Sequence, residues 1–174
     1  KNGTVDLVYT LDASALEGKT LVVFEDLIHK KLNVASHHDI SDEEQSVHYP
    51  KIRTTATDTN TKDHVGVSTE NGTIVDTVAY KNLVPGKNYT LKGTLMDKET
   101  KEAIQQNGKA VTAETSFTPS KASGTVDITF ALDTSVLEGK TIVVFEKLLH
   151  NKVEVTSHED ISDEGQSVKI PQIH

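Results

Sequence analysis

The stretch GTVDITFALDTSVLEGKTIVVFE, Gly124 to Glu146, decides the fold. In its first part Val126, Ile128, Phe130 and Leu132 alternate with Asp127, Thr129 and Ala131, the period-two pattern of a half-buried strand. Its last part, with Lys147 to Leu149 added, is an apolar run rich in β-branched residues and reads as a central strand. Between them, DTSVLEGK has room for one helical turn closed by Gly139. Outward from this core, VEVTSH and QSVKI follow as shorter strands. TIVDTVAY, NYTLKGTLMD and AVTAETSFT precede it, divided by NLVPGKN and KETKEAIQQNGK. Many short strands separated by turn signals predict an all-β chain of immunoglobulin-like β-sandwich domains.

The same stretch occurs twice. A near copy starts at Gly3, 121 positions before Gly124, and the two run without a gap to Pro50 and Pro171 with about two thirds of the positions identical. That spacing is far beyond a solenoid unit of roughly 20–50 residues, so the repeat is domain-sized and the domains stand in tandem. Residues 51–174 are expected to form a complete repeat domain, and residues 1–50 the C-terminal half of a preceding one. The opening KNGTVDL begins in mid-pattern, like a fragment boundary. The junction at Pro50 leaves almost no linker, which predicts a stiff connection.

Composition narrows the function. A formal charge of −8 argues against nucleic acid and anionic lipid as partners, since both need clustered Lys and Arg. No window approaches the ~20 apolar residues that span a bilayer, and no basic-then-apolar leader opens the chain. Absence of Cys excludes disulfides, thiolate metal sites and cysteine catalysis.

Strand parity selects the residues able to carry chemistry. In PKIRTTATD, Thr54 shares a face with Ile52 and Ala56, while Thr55 shares the opposite one with Arg53 and Thr57. A buried Thr normally satisfies its hydroxyl on a nearby carbonyl, so parity alone does not make Thr54 reactive. Asp76 falls on the face of Ile74 and Val78, and Glu146 on that of Ile142 and Val144. Both carboxylates either end at the surface or point to the core. In the core they are tolerable when one keeps a proton and hydrogen-bonds the other. SHEDISDEGQSV, Ser157 to Val168, adds His158 and Gln166, and parity with Val168 and Ile170 turns Gln166 inward.

IRTTATD, TIVDTVAYKNLVPGKNYTLKGTLMD, GKTIVVFE and SHEDISDEGQSV, in that order, resemble the VaFE-type repeats of Gram-positive cell-surface adhesins. The resemblance covers Lys51 to Pro171 and the half-unit before it. It implies an intramolecular Thr–Gln ester bond between the first and last strands, formed once by the domain on itself without cofactor or metal. Such a domain is no conventional enzyme. Carried over, Thr54 is the nucleophile and Gln166 the electrophile. His158 is the base that passes the Thr proton to departing ammonia, and Asp76 with Glu146 is the buried acidic pair that polarises the carboxamide. The implied setting is the stalk of an extracellular, cell-wall-anchored protein whose partners are neighbouring repeats.

Glu25, His37 and Gln45 repeat Glu146, His158 and Gln166 in the first half-unit, without a matching Thr or Asp. Those strands are expected before Lys1, cleaved off or supplied by another chain, because half a sandwich with open edges is unstable. Asp160 and Asp163 are expected to shape the turn between His158 and Gln166.

Three other classes compete. A non-crosslinked ligand-binding or adhesion sandwich uses the same residues structurally. A Ca²⁺ module could draw on HHDISDEE, which matches no defined calcium loop and lacks the EF-hand Gly. An isopeptide domain needs Lys in place of Thr54 and Asn or Asp in place of Gln166.

Overall fold

The computed structural model describes residues 1–174 and is almost entirely β. The first unit contributes β1 (Thr20–Val22), β2 (Glu25–His29), β3 (Leu32–His37) and β4 (Ser46–His48). The second contributes β5 (Lys51–Asp58), β6 (Gly72–Lys81), β7 (Tyr89–Asp97), β8 (Gln105–Gln106), β9 (Lys109–Ala110) and β10 (Thr112–Phe117). It continues through β11 (Gly124–Leu132), β12 (Thr141–His150), β13 (Val153–His158) and β14 (Ser167–Lys169).

In the second unit two antiparallel sheets face each other. One runs β11-β6-β5; the other runs β10-β7-β12-β13, with β14 also on β12. The alternating stretch is β11, and the apolar run is β12, the central strand shared by β7, β13 and β14. Ile52, Ile74, Val78, Ile128 and Phe130 from the smaller sheet pack on Leu91, Leu95, Ile142, Val144 and Leu148 from the larger, making one core. Gly93 permits the close approach: a Cβ there would lie 2.4 Å from Phe130 Cζ. The turn read between the strands is a 3₁₀ turn over Ser135–Leu137, and Gly139 follows at φ +80°.

Two details differ from the expected pattern. KETKEAIQQNGK is not a plain divider but holds the β8–β9 ribbon, turned at Asn107 (φ 52°) and Gly108 (φ 73°). This is the Asn-Gly signature of a tight hairpin turn. Gln166 is the last residue of a 3₁₀ turn, Glu164–Gln166, rather than part of the final strand.

The first unit shows what the small sheet does. Leu7, Tyr9, Leu11, Leu27 and Val47 are at least 48 % exposed, whereas their repeat equivalents Ile128, Phe130, Leu132, Leu148 and Val168 are all buried. The counterpart of β12 also breaks in two, as β1 and β2, around Val23 and Phe24. The run keeps its short ladders to β4 and β3, but without the continuous ladder that β7 gives β12 and the core that β6 and β7 help to build in the second unit, nothing holds it straight.

Candidate functional site

Four elements of the second unit converge on one buried polar cluster. β5 carries Thr54, with Ile52 and Ala56 buried on the same face and Thr55 exposed on the other. β6 carries Asp76 between buried Ile74 and Val78, in register with Ala56 on one side and Ile128 on the other. β12 carries Glu146, paired in register with His158 of β13. The 3₁₀ turn before β14 carries Gln166 and lies against the backbone of Thr54, whose carbonyl would sit 3.8 Å from a Cβ at Gly165.

Asp76, Glu146 and Gln166 are each 0 % exposed, and Thr54 is 7 % exposed. Gln166 Nε2 donates to Glu146 Oε2 at 3.0 Å. The remaining polar atoms are unmatched: Thr54 Oγ1, both Asp76 oxygens, Glu146 Oε1 and Gln166 Oε1 are all buried without a hydrogen-bond partner. Native interiors satisfy nearly all such atoms, and each exception costs about 1–3 kcal/mol. Five at one site mark it as built for something other than stability.

The carboxyl pair has a physical resolution. Burial, then the neighbouring Asp76 carboxyl, pushes Glu146 up to about 11, so it holds its proton at neutral pH. Asp76 is raised as well, chiefly by burial. A proton placed between the two carboxyls supplies the bond that neither makes while ionised, so they titrate as a pair.

His158 sits where buried chemistry meets solvent. With Thr54, Thr55, Asp163 and Glu17 it lines a cleft of about 510 Å³. Its Nε2 lies 2.8 Å from Asp163 Oδ2. The hydrogen bond from His158, then that from the Gly165 backbone N–H, holds Asp163 below the ordinary carboxylate range. An ionised carboxylate only accepts, so Nε2 carries a proton in this contact, and Nδ1 is the ring nitrogen left over to act as a base in the neutral tautomer. Asp163 also caps the Gln166 turn through that Gly165 contact. It shapes the turn as expected and in addition orients the imidazole. Parity could not find that role, but the five-residue spacing from His158 across a tight turn is its sequence signal.

The first unit repeats half of this arrangement. Gln45 Nε2 donates to Glu25 Oε2 at 3.0 Å, and His37 Nε2 meets Asp42 Oδ2 at 2.9 Å. Gln45 Oε1 is again buried and unmatched. Nothing in the chain stands opposite as Thr54 and Asp76 do. HHDISDEE spends Asp39 and Asp42 on its own turn, at Ser41 and Glu44, and no group of three or more His, Asp or Glu is placed to hold a metal ion.

Among curated proteins none matches this sequence. Two solved structures of one bacterial adhesin from Mobiluncus mulieris, described as containing intramolecular disulfide, isopeptide and ester bond cross-links, share the fold. They align with TM-scores of 0.57 and 0.56 at 20 % and 21 % identity, covering 71 % of this chain. The match takes in 58 % of the adhesin chain, so the similarity extends over little more than half of its length. The family model described as "T-Q ester bond containing domain" matches twice, over residues 1–49 and again over 50–170. The chain therefore belongs to the T-Q ester bond containing domain family.

Proposed function

We propose that the second unit crosslinks itself through an ester between Thr54 and Gln166, and serves as a load-bearing stalk domain of a bacterial surface adhesin. The observation that carries this reading is the unpartnered Thr54 hydroxyl in the same dry cluster as a Gln166 carboxamide already held by Glu146. The chemistry balances without another reactant. Thr54 Oγ1 bonds to Gln166 Cδ, the Cδ–Nε2 bond breaks, and the Thr proton leaves with the nitrogen as ammonia. His158 Nδ1 takes that proton and returns it to the leaving nitrogen, while Asp163 holds the ring by its other nitrogen.

Glu146 and Asp76 do the electrostatic work. Glu146 orients the amide nitrogen, and the proton the pair retains is the donor that meets negative charge developing on Gln166 Oε1. A carboxyl that was ionised at neutral pH could not donate. Burial protects the product from hydrolysis, and the cleft beside His158 gives ammonia a way out. Each domain reacts once, with no cofactor, so the site is a maturation device rather than an enzyme.

The bond would tie β5, where the unit begins, to the turn entering β14, where it ends. A pull on the termini then runs through a covalent link instead of peeling the sheets. An extracellular, cell-wall-anchored position on a Gram-positive surface suits that role. Tryptic mapping tests the reading: a peptide containing Thr54 should be recovered joined to one containing Gln166, less one ammonia. Recovery of both peptides unlinked from folded protein would refute it.

The first unit holds Glu25, His37 and Gln45 ready without a nucleophile. Strands equivalent to β5 and β6, brought by another stretch of polypeptide, would complete it, and Gln45 remains a primary amide until they do.

A further inference from the structure

The two units meet through a set of contacts that the crosslink does not use. Asn82, directly after β6, sits in the left-handed region at φ 64°, a conformation that Asn tolerates. Its Nδ2 donates to Lys19 O at 2.7 Å and to Tyr49 O at 3.2 Å, while its Oδ1 accepts from Thr20 Oγ1 at 3.2 Å. Those two carbonyls already close the end of the β1–β4 ladder, accepting from Tyr49 N and Gly18 N. Asn82 takes up their second lone pairs. Beside it, Glu17 accepts from Thr156 Oγ1 at 2.9 Å and faces Lys51 Nζ at 3.5 Å. Gly18, at φ +76°, admits the Lys51 stem to 3.5 Å from where a Cβ would be.

The same seat recurs at the far end of the second unit. Glu138-Gly139-Lys140-Thr141 repeats Glu17-Gly18-Lys19-Thr20. Gly139 N donates to Ile170 O and Ile170 N to Lys140 O, both at 2.9 Å, as their counterparts do. The seat is made of backbone carbonyls, so the change from Tyr49 to Ile170 leaves it intact. Gln172 stands at Gly139 where Lys51 stands at Gly18.

We infer that Asn82 is a clasp fixing the angle between successive repeats, and that the Lys140 and Ile170 carbonyls form a docking seat for the equivalent Asn of a further copy of this repeat. The partner is recognised by a side-chain amide presented from a left-handed residue just after a strand. Because the clasp bonds main-chain atoms next to a junction with almost no linker, it sets the angle at which that short connection holds the two units. This inference does not depend on the ester bond.

Amide exchange and residual dipolar couplings on the full chain test it. Asn82→Gly keeps the left-handed backbone and removes the clasp; Asn82→Asp keeps the acceptor and removes the donors. Both should speed exchange at Gly18 and Tyr49 about tenfold, the loss expected for a hydrogen bond of ordinary strength, and decouple the orientation of β1 and β4 from the second unit. Exchange at Gly139 and Ile170 should be unchanged, which also reports that the variants are folded. In the chain extended after Pro171 by a second copy of residues 51–174, Gly139 and Ile170 should gain about tenfold protection, lost again when the added copy carries the Asn-to-Gly change. Unaltered coupling in both variants, independently oriented units in the unaltered chain, or no gain in the extended chain would each overturn the inference.

Discussion

Replacing Thr54 by Ala should cost far more stability than the folded contacts of Thr54 account for. Its hydroxyl has no hydrogen-bond partner, so no folded-state bond is lost with it. Removing one buried methyl accounts for about 1 kcal/mol. The proposed Thr54–Gln166 crosslink would close a loop of about 110 residues, and if it restricts the unfolded chain as a disulfide does, its loss removes ~5 kcal/mol. Spread over the unfolding entropy of a domain of this size, the sum lowers Tm by about 20–25 °C. Calorimetry on the unaltered chain, Thr54→Ala and Thr55→Ala measures this directly. Thr55 is exposed on the opposite face, and its replacement should move Tm by only a degree or two. A Thr54→Ala domain melting within about 5 °C of the unaltered one would refute the reasoning, because a methyl alone explains so small a change.

Further predictions concern rate, pH and packing. His158→Ala should slow ammonia release after refolding by about 10²–10⁴-fold, with Asp163→Asn slowing it less, because the latter misorients the base without removing it. In the uncrosslinked Thr54→Ala background, stability should fall as pH rises from 5 towards 9. Glu146 binds its proton more tightly folded than unfolded, so its contribution is full below the ordinary carboxylate range and is lost on the way to about 11. Asp163, Asp160 and Asp97, all held low, act with the opposite sign, but only as pH falls below their ordinary value of 3.8. Chemical denaturation at a series of pH values reads the slope, and Glu146→Gln should reduce it, leaving the part due to Asp76, which burial also raises. Gly93→Ala, which drives a methyl into Phe130, should destabilise the second unit by about 1–3 kcal/mol in the same assay.

Much of the site was legible in strand parity. Thr54, Asp76 and Glu146 each lie on strands whose neighbours at i±2 are buried aliphatics, and a pleated strand leaves their side chains no other direction. Gln166 ends buried for a different reason. Gln166, Ser167 and Val168 are buried in succession, which alternation does not predict, because the 3₁₀ turn is wedged against Thr54. The β8–β9 ribbon was hidden in a polar divider, although Asn107-Gly108 was its signal. The Asp163–His158 contact and the Asn82 clasp depend on how turns fold back in space, and no periodicity encodes that.

Intact mass of the folded chain tests the central claim most directly. The account predicts a mass lower than that of the sequence by one ammonia, not two, since Thr54 faces Gln166 and no Thr faces Gln45. Mild hydroxylamine should then cleave the ester and open the crosslink. A mass equal to that of the unmodified sequence, in protein folded at neutral pH, would contradict it.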